Sequence, residues 1–350
     1  MTHEYVGNLH MHTRYSDGHA SHEGIARAAL KAGLDFVVTT DHNVWIGGFD
    51  GYRTSGERRV LLLVGEEIHD TTRDPQKNHL LVFETFKELS YLAPNPQELI
   101  DGINDEGGLA FIAHPVDPEA PVFKEPDLSW VDWDVEGYVG IELWNFMSEF
   151  KSHLSSFIKA LYYSYSPTRV AHGPFSEAIA RWDSLLASGR RVVAIGGADA
   201  HALPANVGPL KRVLYPYEFH FKTVNTHVIT EDPLSGDVEI DRQRLFSAIR
   251  RGHCFVGYDL PAPTNGFRFS GIGDEAQGIM GDRLRAGFGI TLQVKLPRRV
   301  DLRLIRNGVT IEKWENCEAA IHTATDPGAY RVEASIYYKG RMRGWIFSNP

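Results

Sequence analysis

The stretch Asn8-Leu9-His10-Met11-His12-Thr13-Arg14-Tyr15-Ser16-Asp17-Gly18 decides how the rest of the chain is read. Tyr5, Val6 and Leu9 give a short apolar run. Two histidines one residue apart at its end project to the same side of a strand, because side chains alternate along it. Two imidazoles on one face can share a metal ion, and Ser16-Asp17-Gly18 adds a turn that carries a carboxylate. Such a pair needs further donors. The chain offers them in order: Asp41-His42, Glu67, His79, His114 and Asp199-Ala200-His201, each beside an apolar segment of strand length.

Composition bounds what those residues can serve. The 350 residues are 43% hydrophobic and 23% charged, an ordinary globular balance with no low-complexity tract, and the length suits one large barrel or a barrel with a smaller appendage. Lys+Arg 36 against Asp+Glu 45 leaves a net charge of -9, which disfavours loose adhesion to nucleic acid or anionic lipid and favours a compact small-molecule substrate. Cys254 and Cys317 lie far apart, so a disulfide framework is not expected and a reducing compartment is, although the two could still form one bridge. The opening residues hold no charged-then-apolar leader and no apolar run reaches 18 residues, from which a soluble cytoplasmic protein without a membrane span is expected. Oligomeric state is not legible.

Outward from the first motif, Ser21 is placed to cap a helix with apolar positions at Ile25, Ala28, Ala29 and Leu30 and a stop at Gly33. Phe36-Val37-Val38-Thr39-Thr40 reads as a buried strand of a parallel sheet, delivering Asp41-His42. Further strands are expected over residues 60–64, ending in Gly65-Glu66-Glu67, and over 80–83, this one preceded by His79. Asn95-Pro96 opens a helix that Gly107-Gly108 closes. Residues 109–113 deliver His114-Pro115, and 139–141 deliver Glu142. One helical segment is expected between Glu149 and Tyr165, and another over 175–186 with Trp182, Leu185 and Leu186 on its apolar side. Residues 191–195 lead into Asp199 and His201, 224–229 form a strand, and a last helix runs over 241–251, capped by Asp241.

Strands alternating with helices, with donors repeatedly at strand ends, predict a mostly parallel β/α barrel over residues 1–260 whose C-terminal rim holds the site. Beyond Pro261 the pattern changes to period two over 290–294, 302–305 and 330–336, with Asn307-Gly308 as a two-residue hairpin turn. A small antiparallel β-sandwich is expected over 261–350.

Singly, each donor has an ordinary explanation as a surface or hydrogen-bonded residue. Together, nine ligand-type side chains at strand ends, with His10/His12 and Asp199/His201 at the i, i+2 spacing, point to a metal centre. The series His10-x-His12, Asp17, Asp41-His42, Gly65-x-Glu67, His79, His114-Pro115 and Asp199-x-His201 resembles, in order, the motifs of the PHP (polymerase and histidinol phosphatase) domain family of metal-dependent phosphoesterases. Trp182-Asp183-Ser184-Leu185-Leu186, Ile141-Glu142-Leu143-Trp144-Asn145, Gly328-Ala329-Tyr330-Arg331-Val332-Glu333 and the closing Trp345-Ile346-Phe347-Ser348-Asn349-Pro350 are similar to its carbaryl-hydrolase-like branch, which ends in a β domain.

The resemblance implies a distorted seven-stranded barrel and two or three divalent ions, zinc, manganese or iron. One ion would take His10, His12, Glu67 and Asp199. A second would share Glu67 with His79 and His114, and a third would take Asp17, His42 and His201. Glu67 rather than its neighbour Glu66 is chosen because the family pattern is glycine, any residue, glutamate. Paired ions lower the pKa of a shared water, giving a hydroxide for in-line attack on phosphorus or addition to a carbonyl carbon. Glu67, Asp199, His201 and Asp41 are therefore the catalytic candidates, Asp41 by orienting a ligand histidine or, equally, by capping the end of its strand. Arg14, Arg169, His172 and Glu142 are candidates for substrate contact, Arg14 because a guanidinium matches phosphate geometry, while Glu142 could equally support a ligand histidine from behind, as Asp41 could. A small phosphate ester is the expected substrate. Hydrolysis of a carbamate or carboxyl ester, and a metal-binding interaction module without catalysis, are the competing readings.

Overall fold

The structure, a computed structural model, describes residues 2–207, 210–274, 276–285 and 287–350. β1 (His3–Asn8) is followed by α1 (His22–Ala32), which Ser21 caps through Gly24 N–H and which ends at Gly33 in the left-handed conformation, as a helix stop requires. Next come β2 (Phe36–His42), β3 (Gly51–Ser55), β4 (Arg58–Ile68), β5 (Leu80–Phe83), α2 (Pro96–Asp105), β6 (Leu109–Ile112) and β7 (Gly140–Asn145). α3 (Phe146–Ser152), α4 (Phe157–Tyr165), α5 (Ser176–Ala187) and β8 (Val193–Gly197) follow, then the hairpin β9 (Pro204–Val207) and β10 (Leu210–Val213). α6 (Tyr217–His220), β11 (Val224–Thr230), α7 (Val238–Arg250) and β12 (Cys254–Tyr258) complete the α/β part. The rest is all β: β13 (Arg268–Ile272), β14 (Gln277–Ile279), β15 (Ile290–Arg306), β16 (Val309–Ala324), β17 (Tyr330–Tyr338) and β18 (Arg341–Ser348).

Seven strands, β1, β2, β4, β5, β6, β7 and β8, neighbour one another in that order. All steps are parallel except those on either side of β5, which runs antiparallel to β4 and β6. The reversal has a plain consequence. His79 precedes β5, whereas the other donors lie at or beyond the C-terminal ends of their strands, so only a reversed strand brings it to the same rim.

The barrel ladder is open between β8 and β1. There Asn8 Oδ1 accepts from Ala198 N–H (3.2 Å), Thr226 Oγ1 accepts from Gly196 N–H (2.9 Å), and a parallel bridge of Met11 to Ala200 closes the rim, with His12 N–H donating to Ala200 O (3.0 Å). The interior is a packed apolar layer that includes Leu9, Phe36, Leu63, Phe83, Phe111 and Ile195, with Leu245, Phe246 and Ile249 of α7 packed against it.

Three local expectations change. The last helix starts earlier and is capped by Asp237, which accepts from Ile240 N–H; Asp241 lies inside it, fully buried, reaching back to Ser235 N–H (2.6 Å), Gly236 N–H (2.7 Å) and Tyr52 OH (2.6 Å). The segment from Glu149 to Tyr165 is two helices, because Ser156 caps a second one. Residues 290–294 and 302–305 belong to a single 17-residue strand, β15, whose register with β16 slips between Lys295 and Val300, where Pro297 can donate no ladder hydrogen bond.

The tail strands continue the same sheet, since β18 pairs with β12 and β12 with β11. Asn307 and Gly308 form the expected turn at φ 48° and 81°. Arg331 on β17 is buried and grips Asp183 of α5 through two bonds of 2.8 Å while its guanidinium lies over the Trp182 ring, so the two tail-related motifs in the sequence are halves of one contact. Cys254 and Cys317 are both free thiols. Among the described residues no helix is long and apolar enough to cross a membrane.

Candidate metal centre

Glu67, 1% exposed near the end of β4, is the hub. Its Oε1 faces His79 Nδ1 (2.8 Å) and His114 Nε2 (2.9 Å), and its Oε2 faces His10 Nε2 (2.9 Å), His12 Nε2 (3.2 Å) and His42 Nδ1 (3.4 Å). The two oxygens thus look into two different sets of imidazoles. Asp199 Oδ1 approaches His12 Nε2 (3.1 Å), His10 Nε2 (3.5 Å) and His201 Nδ1 (3.5 Å). At the outer edge Asp17, half-exposed, faces His201 Nε2 (3.2 Å) and His42 Nε2 (3.7 Å). Atoms of His10, His12, Glu67 and Asp199, of His42, Glu67 and His79, and of His12, Asp17, His42 and His201 each converge closely enough to hold one ion.

Local backbone explains the convergence. His10 and His12 leave β1 with one residue between them and both are fully buried. His114 and Asp199 sit at φ 23° and 53°, a region that residues with a side chain seldom enter, so the chain turns sharply after β6 and β8 to aim them inward. Gly197 allows the closest approach, for a Cβ there would lie 2.2 Å from Glu142 Oε1 and 2.8 Å from His10 Cβ.

Burial alone would push Glu67 and Asp199 up, yet the surrounding imidazoles hold both carboxyls well below their ordinary values. Burial also opposes a cation on His12 and His114, but Asp199 and Glu67 raise His12 to about 10, and Glu67 raises His114 to about 9. Burial dominates at His79, lowered to about 4. Several ring nitrogens have no hydrogen-bond partner although buried: His12 Nδ1, His42 Nδ1, His79 Nε2 and His114 Nδ1. Buried imidazoles and carboxylates with unpartnered nitrogens are a donor set that suits zinc, manganese or iron, so the residues fit the expected divalent ions.

Around the donors, Glu142 is 1% exposed and accepts from His114 N–H (2.9 Å) and Asn145 Nδ2 (2.9 Å), while His10 Nδ1 lies 3.0 Å from its Oε1. Its contacts are thus with the ligand His10 and with the backbone that carries His114. Asp41 touches no ligand imidazole. It accepts from Thr13 N–H, Thr13 Oγ1 and Ser16 Oγ, each at 2.7 Å, and so fixes the loop that carries Asp17. Glu66 is buried and makes no contact with the centre; burial, with the like charge of the exposed Glu88, raises its carboxyl to about 9. Arg14 is exposed on that loop and forms no ion pair among the described residues. Arg169 and His172 are not brought to the centre: Arg169 donates to Lys339 O (3.3 Å) and His172 meets Arg341 (3.1 Å), both on the β17–β18 hairpin.

Sequence reasoning missed His69. It is 5% exposed, follows Glu67 by two residues, stacks on His79 at 4.4 Å and meets the His42 ring edge-on. The same i, i+2 rule that picked His10 and His12 picks it. Asn8 and Asn145, whose side chains join β1 to β8 and Glu142 to Asp199, left no comparable signal. A separate group, Glu149, His153 and His172, has metal-like spacing, but Arg341 and Arg343 flank it and, with burial, lower His172 to about 4, an environment hostile to a cation.

Comparison with known proteins adds to this geometry. The family model for the PHP domain matches residues 8–103. An uncharacterized protein of Methanocaldococcus jannaschii is 33% identical over 149 residues, which cover 39% of this chain and 80% of that protein. A two-domain protein from Bacteroides vulgatus containing a predicted PHP-like metal-dependent phosphoesterase shares 15% identity, with 99% of this chain and 95% of that one covered and a TM-score of 0.44. An amidohydrolase from Chromobacterium violaceum, solved with bound sulfate and no metal, shares 14% identity over 59% of this chain and 93% of its own, with a TM-score of 0.28.

Proposed function

Because the chain belongs to the PHP domain family, we propose that it is a metal-dependent phosphoesterase acting on a small phosphate ester, with residues 1–260 as the catalytic unit and 261–350 as a β appendage. The observation that carries this reading is the division of Glu67 between two imidazole sets, His79 and His114 on one oxygen and His10, His12 and His42 on the other. A carboxylate so placed can bridge two ions. His10, His12, Glu67 and Asp199 would hold the first, Glu67 with His79 and His114 the second, and Asp17, His42 and His201 a third. Bound divalent ions supply neutralisation of phosphate oxygens and a water acidified toward neutrality.

The chain's own groups do the positioning. Glu142 fixes His10 through Nδ1 and so turns its Nε2 toward Glu67 and Asp199. Asp41 holds the loop that presents Asp17, and Arg14 on that loop offers a forked donor to a phosphate that enters from the rim. Burial of Glu67, His10 and His12 keeps bulk water from the reacting oxygen, where charge stabilisation then counts most.

The test is a plate of matched phosphomonoester, phosphodiester, carboxyl-ester and carbamate substrates with metal-reconstituted protein and His12→Ala as control. Metal-dependent phosphate release, absent in the variant, is the expected result. Preference for the carbonyl substrates would move the assignment to ester or carbamate hydrolysis, and metal binding without turnover of any class would favour an interaction module.

A further inference from the structure

A cavity of about 620 Å³ lies between the α5–β8 turn, the α7–β12 turn and strands β13, β14 and β15. It is far from the metal centre. Arg191, Val192 and Val193 on its wall enter β8 at the end opposite Gly197, Asp199 and His201, which the strand rise puts roughly 15 Å away. Its volume is that of a small-molecule site. Leu186, Phe269, Met280, Ile290 and Leu292 make its interior apolar.

The rim is different in kind. Arg190, Arg191, Arg251 and Arg283 converge there, in a chain whose net charge is -9. Arg190 is occupied by Val135 O and the Tyr138 ring, and Arg251 by Glu231 at 3.0 Å. Arg191 donates to two carbonyls, of Arg251 and Gly281, neither of which carries a formal charge. Neither Arg191 nor Arg283 forms an ion pair among the described residues. The two acidic side chains on the wall are already engaged, Asp282 with His253 Nε2 (2.9 Å) and Ile279 N–H (2.9 Å), and Asp326 with Arg306. Burial and the neighbouring Arg283 depress the Arg191 guanidinium, Arg251 adds to them, and Asp282, itself bonded to His253, offsets them only in part.

We propose that this cavity binds an amphipathic anion, its apolar body on the Leu186, Phe269 and Ile290 side and its sulfonate, carboxylate or phosphate head against Arg191 and Arg283. The site is separate from the reaction and stands or falls independently of it. The apolar walls set what body enters, and the guanidiniums set the sign of the head.

The intact protein is titrated with 8-anilinonaphthalene-1-sulfonate, an apolar ring system with a single sulfonate, followed by its fluorescence. Saturable binding is expected, weakened about tenfold by Arg283→Glu and unchanged by His12→Ala; the neutral analogue N-phenyl-1-naphthylamine should bind with the same affinity to wild type and Arg283→Glu. Arg191→Gln should act in the same direction, but Arg283, exposed and without such carbonyl bonds, is the deciding variant because its loss leaves the wall intact. Absence of saturable binding, equal affinity in Arg283→Glu, or loss of binding in His12→Ala would overturn the proposal.

Discussion

Gly197 leaves no room for a side chain between Glu142 Oε1 and His10 Cβ, so Gly197→Ala must push the Glu142 carboxylate away from the His10 ring. The expected outcome is a loss of about 10- to 100-fold in metal affinity with the circular dichroism spectrum unchanged, read by competition with a chromogenic chelator. Wild-type affinity would show that Glu142 does not orient the ligand. At this scale much of the site was legible. His10/His12 and Asp199/His201 announce themselves because side chains two apart share a face. Arg169 and His172 were not legible in the same way, since a loop of that composition suits a barrel mouth, and only tertiary contact with Lys339 and Arg341 shows that it faces the β17–β18 hairpin. Asp41 was readable in both directions, as orienter or as cap. Its three bonds to Thr13 and Ser16 are those expected of the cap.

Among the elements, α7 separates two acidic residues that sequence alone interchanged. Asp237 accepts one capping bond from Ile240 N–H at the surface, whereas Asp241 is buried and accepts from Ser235 N–H, Gly236 N–H and Tyr52 OH. Asp237→Ala should cost about 1 kcal/mol and Asp241→Ala about 3 kcal/mol, in urea denaturation, because the second removes several charge-assisted hydrogen bonds to one buried carboxylate at once. Equal costs would contradict the assignment. Capping residues are chemically alike, so periodicity could locate the helix but not tell which aspartate precedes it. The reversal of β5 was written in the chain by the order of His79 and its strand, a signal that alternation of strands and helices obscured. The unity of β15 was hidden by Pro297, which reads as a strand end until the partner strand absorbs the register slip.

Across the whole molecule, barrel and tail are tied by a buried charge network as well as by the shared sheet. His227 on β11 lies 2.9 Å from Glu4 of β1 and 3.1 Å from Asp259, and Glu4 in turn accepts from Gly266 N–H and Arg268 at the start of the tail. Burial opposes a charged His227, but Asp259 and Glu4 outweigh it and raise the ring to about 9. The folded value lies above the unfolded one, so the stabilisation is complete below pH 6.5 and is lost as pH rises toward 9, by an amount on the order of 1–3 kcal/mol. Asp259 behaves oppositely: burial alone would raise it, yet His227 lowers it to about 2, so its share is complete above about pH 4 and is lost as pH falls toward 2. Urea midpoints should therefore decline from pH 6.5 to 9 in wild type and decline less in His227→Gln; parallel profiles would show that the network does not couple to folding.

In the proposed reaction Glu67 would hold the divalent ions that supply the chemistry of phosphate-ester hydrolysis. The measurement that tests it most directly is phosphate release from a phosphomonoester panel while manganese or zinc is titrated into metal-free protein. No release is expected without metal, with a rate that climbs to a plateau at two or more ions per chain and no recovery in Glu67→Gln at any metal concentration. Release from the metal-free protein, or full activity of Glu67→Gln, would contradict this role of Glu67.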